Sequence, residues 1–247
     1  MSITLVRLLP DRLNLNGSLG NAEVLATRMR WWGVEVTVTD VHRGDALEDA
    51  PDLVVVGHGT SSMVTPAGEA LGSWRDALRR WADDGTHWFG AGLGGDLLGE
   101  SVALEASAPP TPGLGLTGVR TTLRANRAST EVSALDDRGR EIAGYLNDAA
   151  RRHCANESPL LTFLAAPSES WQGGNGERGE GVRSERLWVT AVSGPFLALN
   201  PHVADDIIAS VFARRGIPLP EPTAAHARVD SAAETARAWI RSRLGGV

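Results

Sequence analysis

Cys154 is the single thiol of this chain, and Arg151, Arg152 and His153 just before it form the cationic surrounding that lowers a thiol pKa and makes a nucleophile. No strand or tight elbow precedes it, so the alternative is an inert loop cysteine, partly buried or facing solvent. Alone it can form neither an internal disulfide nor a zinc site, and no metal or other cofactor is expected. His58 lies in the turn Gly57-His58-Gly59-Thr60-Ser61, at the carboxyl end of a β-branched run, where α/β sheets place functional groups. It either lines a pocket there or is a loop histidine bonded to backbone. Asp96 follows the turn Gly92-Leu93-Gly94-Gly95, and it either points into the same pocket or answers the positive end of a helix dipole. Gly94 and Gly95 either offer N–H groups to an anion or simply allow tight turning. Gly173-Gly174-Asn175-Gly176-Glu177 lacks a P-loop lysine, so phosphate binding there is not expected. The pairs Arg151-Arg152 and Arg214-Arg215 read as solvated surface charge.

The elements that must hold these residues follow from hydrophobic periodicity. Ile3 to Leu9 is an apolar run stopped by Pro10 and reads as a buried strand; Asn21 to Trp32 places Leu25, Met29 and Trp32 at helical spacing, with Gly33 as the stop. Val34 to Val41 alternates as a strand, and Asp52 to Gly57 carries a valine run suited to the middle of a parallel sheet. Leu71, Trp74, Leu78 and Trp81 share one helical face, and a strand follows at His87 to Gly90. This order predicts an α/β fold: a doubly wound, mostly parallel sheet with helices on both faces. From Ser107 to Leu187 the pattern weakens to loops around short strands. It returns as a strand at Leu187 to Val192 and a helix opened by Asn200 as N-cap and Pro201. Residues 1–216 read as one domain. Residues 217–247 read as a stiff connector with Pro218, Pro220 and Pro222, then a helix begun by the capping pattern Ser231-Ala232-Ala233-Glu234, with Ala233, Ala236, Ile240 and Leu244 along one stripe.

A net charge of -6 and a pI near 5.5 argue against a nucleic-acid partner. No apolar run reaches the roughly 20 residues of a membrane span, and the opening segment is too short for a signal peptide, so a cytoplasmic protein with no membrane partner is expected. Eight tryptophans against one tyrosine is a surplus beyond ordinary core use. Trp31, Trp74, Trp171 and Trp188 are therefore candidates for partial exposure on a protein-binding face.

The segment Trp88 to Gly99, WFGAGLGGDLLG, resembles the nucleophile-elbow segment of class I glutamine amidotransferases of the cobyric-acid-synthase-like branch, where a strand enters a C-G-G-aromatic-Q-L-L-G turn. Aligned on Leu-Leu-Gly, Gly92 stands where the family carries its catalytic cysteine; shifting by one residue puts Leu93 there. Leu9-Pro10-Asp11-Arg12-Leu13-Asn14-Leu15-Asn16-Gly17, followed by Gly20-Asn21, resembles the P-D-x-x-N-x-Y-G…G-N opening of the glutaminase subunits of lipid II isoglutaminyl synthases. His58 falls on a glycine of that group's G-G-G-Q-D turn. Gly113 to Leu116 and Gly144 to Asp148 resemble its G-L-G-L-L and G-Y-E-x-H stretches. Ser193-Gly194-Pro195-Phe196-Leu197-Ala198-Leu199-Asn200-Pro201 is similar to the H-G-P-L-L-P-K-N-P segment that carries the catalytic histidine, with Ser193 in its place.

The resemblance implies a flavodoxin-like fold whose two reagents are gone. Glutamine hydrolysis needs a thiolate at the elbow and an imidazole base, and neither Gly92 nor Ser193 supplies one. His58, Gly59, Leu93, Gly94, Asp96 and Gly194 would line what is left of the pocket. In the relatives the glutaminase associates with a Mur-ligase-like ATP-dependent subunit and passes it ammonia, so the expected role is a catalytically degenerate subunit supporting such a partner. Two alternatives stay open: an enzyme with new pocket chemistry at His58, Asp96 or Ser193, and a binding protein for a small amino-acid-like ligand.

Overall fold

The computed structural model describes residues 2–154, 156–165 and 178–245. The Gly173 to Glu177 loop and Trp171 lie outside them. β1 (Ser2–Leu8), α1 (Gly20–Trp31), β2 (Glu35–Val41), β3 (Leu53–Val56), α2 (Val64–Ser73), α3 (Arg75–Asp83), β4 (His87–Ala91) and α4 (Leu93–Leu98) form the first half of the chain. Then come β5 (Ser101–Ala103), β6 (Thr111–Pro112), β7 (Arg120–Asp136), β8 (Glu141–His153), β9 (Leu161–Phe163), β10 (Gly179–Glu180), β11 (Val182–Arg183), β12 (Leu187–Thr190) and β13 (Val192–Ser193). Three helices close the chain: α5 (Phe196–Leu199), α6 (Pro201–Arg214) and α7 (Ala224–Arg243).

The central sheet has the order β11-β12-β4-β3-β1-β2, parallel except for the edge pair β11 and β12. All four residues of β3 are buried because helices cover both faces: Leu53 and Val55 join the core with α1 and α6, Val54 and Val56 the core with α2 and α4. At about 1.5–3 kcal/mol for each large apolar side chain buried, this run alone fixes the middle of the sheet. The α/β, doubly wound architecture read from the sequence is the one observed.

The segment read as loops around short strands is instead a long antiparallel hairpin, β7 and β8, running through a second sheet with β5, β6, β9, β10 and β13. Its apolar positions are small or widely spaced, and the register shifts between Leu123 and Ala128, so no clean alternation spans it. The strand expected from Leu187 to Val192 divides: β12 stays in the central sheet, while β13 crosses to pair with β8. The face of Leu71, Trp74, Leu78 and Trp81 is buried as expected, but Trp74 leaves helical geometry and separates α2 from α3. Asn200 precedes α6 without capping it; its buried amide accepts from Ala143 N–H and donates to Ala143 O, pinning β8.

α7 begins at Ala224, seven residues ahead of the Ser231 pattern, because Thr223 and His226 form a reciprocal capping box. His226 stacks on Trp32 at 4.2 Å and meets Trp31 edge-on at 5.1 Å. Arg28, 2% exposed, donates to Asp205 of α6 at 2.7 and 2.6 Å and to Asp230 of α7 at 2.8 Å, fastening the last helix to the domain. Among the described residues no helix is long and apolar enough to cross a membrane, and no cluster of metal-ligating side chains occurs.

Candidate functional site

β4 is buried along its whole length and turns into the equally buried α4 through Gly92, whose φ of 50° and ψ of -125° most side chains avoid. This is the strand-to-helix elbow on which α/β enzymes mount a nucleophile. Gly92 N–H donates to Thr190 O at 2.7 Å, tying the elbow to β12. Close approach fixes the rest of the turn: a Cβ on Gly94 would lie 2.2 Å from Gly57 O, and one on Gly95 would lie 2.5 Å from Val189 Cγ1. Gly94 N–H already donates to Gly57 O at 3.0 Å, so that group is spent on packing and is not held open for an anion.

The space over Gly92 is filled by His58. A Cβ at position 92 would come within 2.1 Å of His58 Nδ1 and 2.6 Å of its Cγ. Nδ1 accepts from Leu93 N–H at 2.9 Å, which leaves the ring proton on Nε2. The backbone of His58 is clamped as well: its N–H donates to Ser18 Oγ at 2.7 Å, and its O accepts from Leu15 N–H at 2.8 Å. Burial lowers the His58 pKa below its ordinary 6.5, against the opposing pull of Asp96 and Asp148. At neutral pH the ring is an uncharged filler. His58 is bonded to backbone on both its ring and its main chain, and its ring packs against the elbow. Gly59 packs beside it, where a Cβ would meet Leu13 Cδ2 at 2.8 Å.

Asp96 lies in the first turn of α4, where the helix dipole favours an acid, and its carboxylate is held in a buried ion-pair cluster. Arg152 of β8 grips it with Nε to Oδ1 at 2.7 Å and Nη2 to Oδ2 at 3.0 Å, and Thr121 Oγ1 adds a bond at 2.9 Å. The same guanidinium donates to Asp148 at 2.7 Å. Burial opposes its charge, but Asp148 and Asp96 together hold the Arg152 pKa well above its ordinary value. Arg152 is therefore a buried cation and not a solvated one, because β8 alternates and turns Arg151 outward. Arg214 and Arg215 are likewise not plain surface charge; both reach the buried Asp52. Near this triad, buried Glu180 accepts from Ala191 N–H at 2.6 Å and Thr190 Oγ1 at 2.8 Å, and burial raises its pKa to about 7. Arg152, Asp148 and Glu180 were not read as site residues from sequence, because polar residues at buried strand positions leave no mark on hydrophobic periodicity.

Ser193 pairs with Tyr145 across β13 and β8 and lines a cavity of about 370 Å³ with Pro195, Phe196, Ala236 and Ile240, beneath α7. Gly194 has nothing within 4 Å of where its Cβ would be. Cys154 follows directly on β8, contrary to the expectation that no strand precedes it; it is half-buried, and burial together with Glu157 pushes its thiol pKa up, so the preceding cations do not activate it. Of the tryptophans proposed for a partner face, Trp74 and Trp188 are buried and Trp31 is half-buried; Trp239, not among them, is 58% exposed.

No family model matches the chain. The subunit GatD of the glutamine-hydrolysing lipid II isoglutaminyl synthase of Staphylococcus aureus (strain N315) is 24% identical over 218 residues, 87% of this chain and 87% of GatD. A solved glutamine amidotransferase superposes with a TM-score of 0.58 at 18% identity, covering 83% of this chain and 98% of its own. PurLQS from Thermotoga maritima superposes at 0.61 with 14% identity, covering 87% of this chain and all of the matched one. A glutamine amidotransferase from the same organism gives 0.53 at 10% identity, over 98% and 94% of the two chains. The fold is that of the class I glutamine amidotransferases. The similarity to GatD, a subunit of a glutamine-hydrolysing synthase, runs over most of both chains.

Proposed function

We propose that this chain is a glutamine-amidotransferase-fold subunit that does not hydrolyse glutamine and is retained for its contact with a Mur-ligase-like, ATP-dependent amide-forming partner. One observation supports the loss above all: the His58 ring stands where a side chain at position 92 would project, and it takes the Leu93 N–H that follows the elbow. Acyl transfer needs a nucleophile at that turn and a backbone N–H free for the oxyanion. Here the first is missing and the second is occupied. The resemblance adds a pattern to this, since position 58 is a glycine and position 92 a cysteine in the relatives; the side-chain bulk has changed places across one contact. Ser193, in the histidine position, offers no base at neutral pH.

The 24% identity to a protein named as a synthase subunit supports the association, and the exposed Trp239, with Arg243 4.4 Å over its ring, supplies an aromatic anchor of the kind interfaces use. Co-expression with a Mur-ligase-like protein encoded beside it, followed by size-exclusion chromatography, tests the reading. A stoichiometric complex whose amide formation runs on free ammonia but not on glutamine is expected. Separate elution at micromolar concentration, or glutamine-driven product, refutes it.

A further inference from the structure

We propose that His58 is a proton-gated plug, so that charging its ring expels it from the space over Gly92 and opens the elbow. The inference builds on the reading of this turn as an inactivated glutaminase elbow and adds how the filled space is regulated. Three features of the geometry carry it.

First, the ring is held at Nδ1 by a bond it can make only while neutral. Leu93 N–H donates to that nitrogen at 2.9 Å, and a proton placed there turns acceptor into donor and sets two N–H groups against each other. No change of tautomer preserves the contact in the charged ring. Second, the ring has somewhere to go. His58 is only partly buried, and Gly92 has no side chain to move with it, so the ring can rotate outward while its backbone stays clamped to Ser18 Oγ and Leu15 N–H. Third, the charged groups around the ring balance, so they do not hold the neutral form in place: Asp96 of α4 and Asp148 of β8 favour the charged ring, and Arg152 of β8 and Arg127 of β7 oppose it. The Leu13 to Ser18 segment packed on the other side contributes no charged group.

The closed form is thus the neutral form. Because burial depresses the folded pKa of His58, the plug is fully seated above 6.5 and is released as pH falls through that lower folded value. His87 at the start of β4 and His202 in α6 also charge in acid, and Glu180, with a pKa of about 7, bonds Thr190, whose carbonyl holds the Gly92 N–H.

The test uses the intact wild-type chain. Long-range proton–nitrogen spectra report the ring tautomer and titration of His58, while hydrogen exchange reports the Gly92, Leu93 and Gly94 amides. At neutral pH the proton should be on Nε2. Through the His58 midpoint, protection of Leu93 should fall about tenfold, the loss of one hydrogen bond, while Gly92, bound to Thr190 O, and Gly94, bound to Gly57 O, keep theirs. In His58→Asn, whose amide oxygen lies where Nδ1 does and can accept the same bond without titrating, Leu93 protection should not depend on pH. A neutral ring protonated at Nδ1, a Leu93 amide indifferent to the titration, or equal loss at all three amides would overturn the proposal. None of these readouts involves glutamine, so failure here leaves the loss of glutaminase activity standing, and glutamate release would refute that reading without touching this one.

Discussion

Alanine at position 92 should be costly in the native chain and much less so once His58 is gone. The new Cβ would lie 2.1, 2.6 and 2.9 Å from Nδ1, Cγ and Cε1 of the ring, well inside contact distance on one whole edge. Forcing an extra carbon into such a packed site costs about 1–3 kcal/mol. Placing a side chain at φ 50° adds about 1–3 kcal/mol of backbone strain, for roughly 2–6 kcal/mol in all. If the ring yields instead, it gives up the Leu93 bond, worth about 0.5–1.5 kcal/mol, so the penalty shrinks without vanishing. In a His58→Gly background the clash disappears and only the strain remains. The two substitutions should therefore couple by about 1–3 kcal/mol in urea unfolding at neutral pH, with the double variant more stable than the sum of the singles. Additivity within about 0.5 kcal/mol would show that the ring does not fill the space over Gly92.

Further outcomes follow from the same contacts. Arg152→Met should destabilise by about 3–5 kcal/mol in denaturant unfolding, since it strands two buried carboxylates, and a cost under about 1 kcal/mol would show that the triad is solvated. Burial, with Arg214 and Arg186, lowers the His87 pKa from 6.5 to about 4, so its contribution is intact above 6.5 and is lost as pH falls toward 4. That gap is worth about 3 kcal/mol at most, and His87→Gln should flatten the stability curve across this window; an unchanged slope would remove His87 from the acid response. Trp239→Ala should leave unfolding within about 0.5 kcal/mol while weakening co-elution with the proposed ligase-like partner, and an unchanged complex would place the interface elsewhere.

The central sheet was legible because its inner strands, β3 most plainly, are buried on both faces and read as continuous apolar runs, while the edge strand β2 alternates. The elbow was legible as a glycine-rich strand-to-helix turn, and His58 as a residue at the right end of a strand. What periodicity could not show was that the ring reaches across to position 92, a contact between residues 34 apart that only the packed sheet creates. The β7 and β8 hairpin was hidden for a different reason. Some of its inward positions carry Thr121, Asp148 and Arg152, which are buried as a mutually satisfied cluster and look polar in the sequence. The start of α7 was misplaced because histidine at the third helical position closes the capping box in place of the usual glutamate.

The most direct measurement of the account is glutamate release from glutamine by the purified chain, alone and with the proposed ATP-dependent partner and ATP present. With Gly92 lacking a nucleophile and His58 holding the Leu93 N–H, release should stay at the buffer rate in both conditions. Turnover above that rate that persists in Cys154→Ala would contradict the account, because this fold would then be hydrolysing glutamine without the reagents the elbow is built to carry.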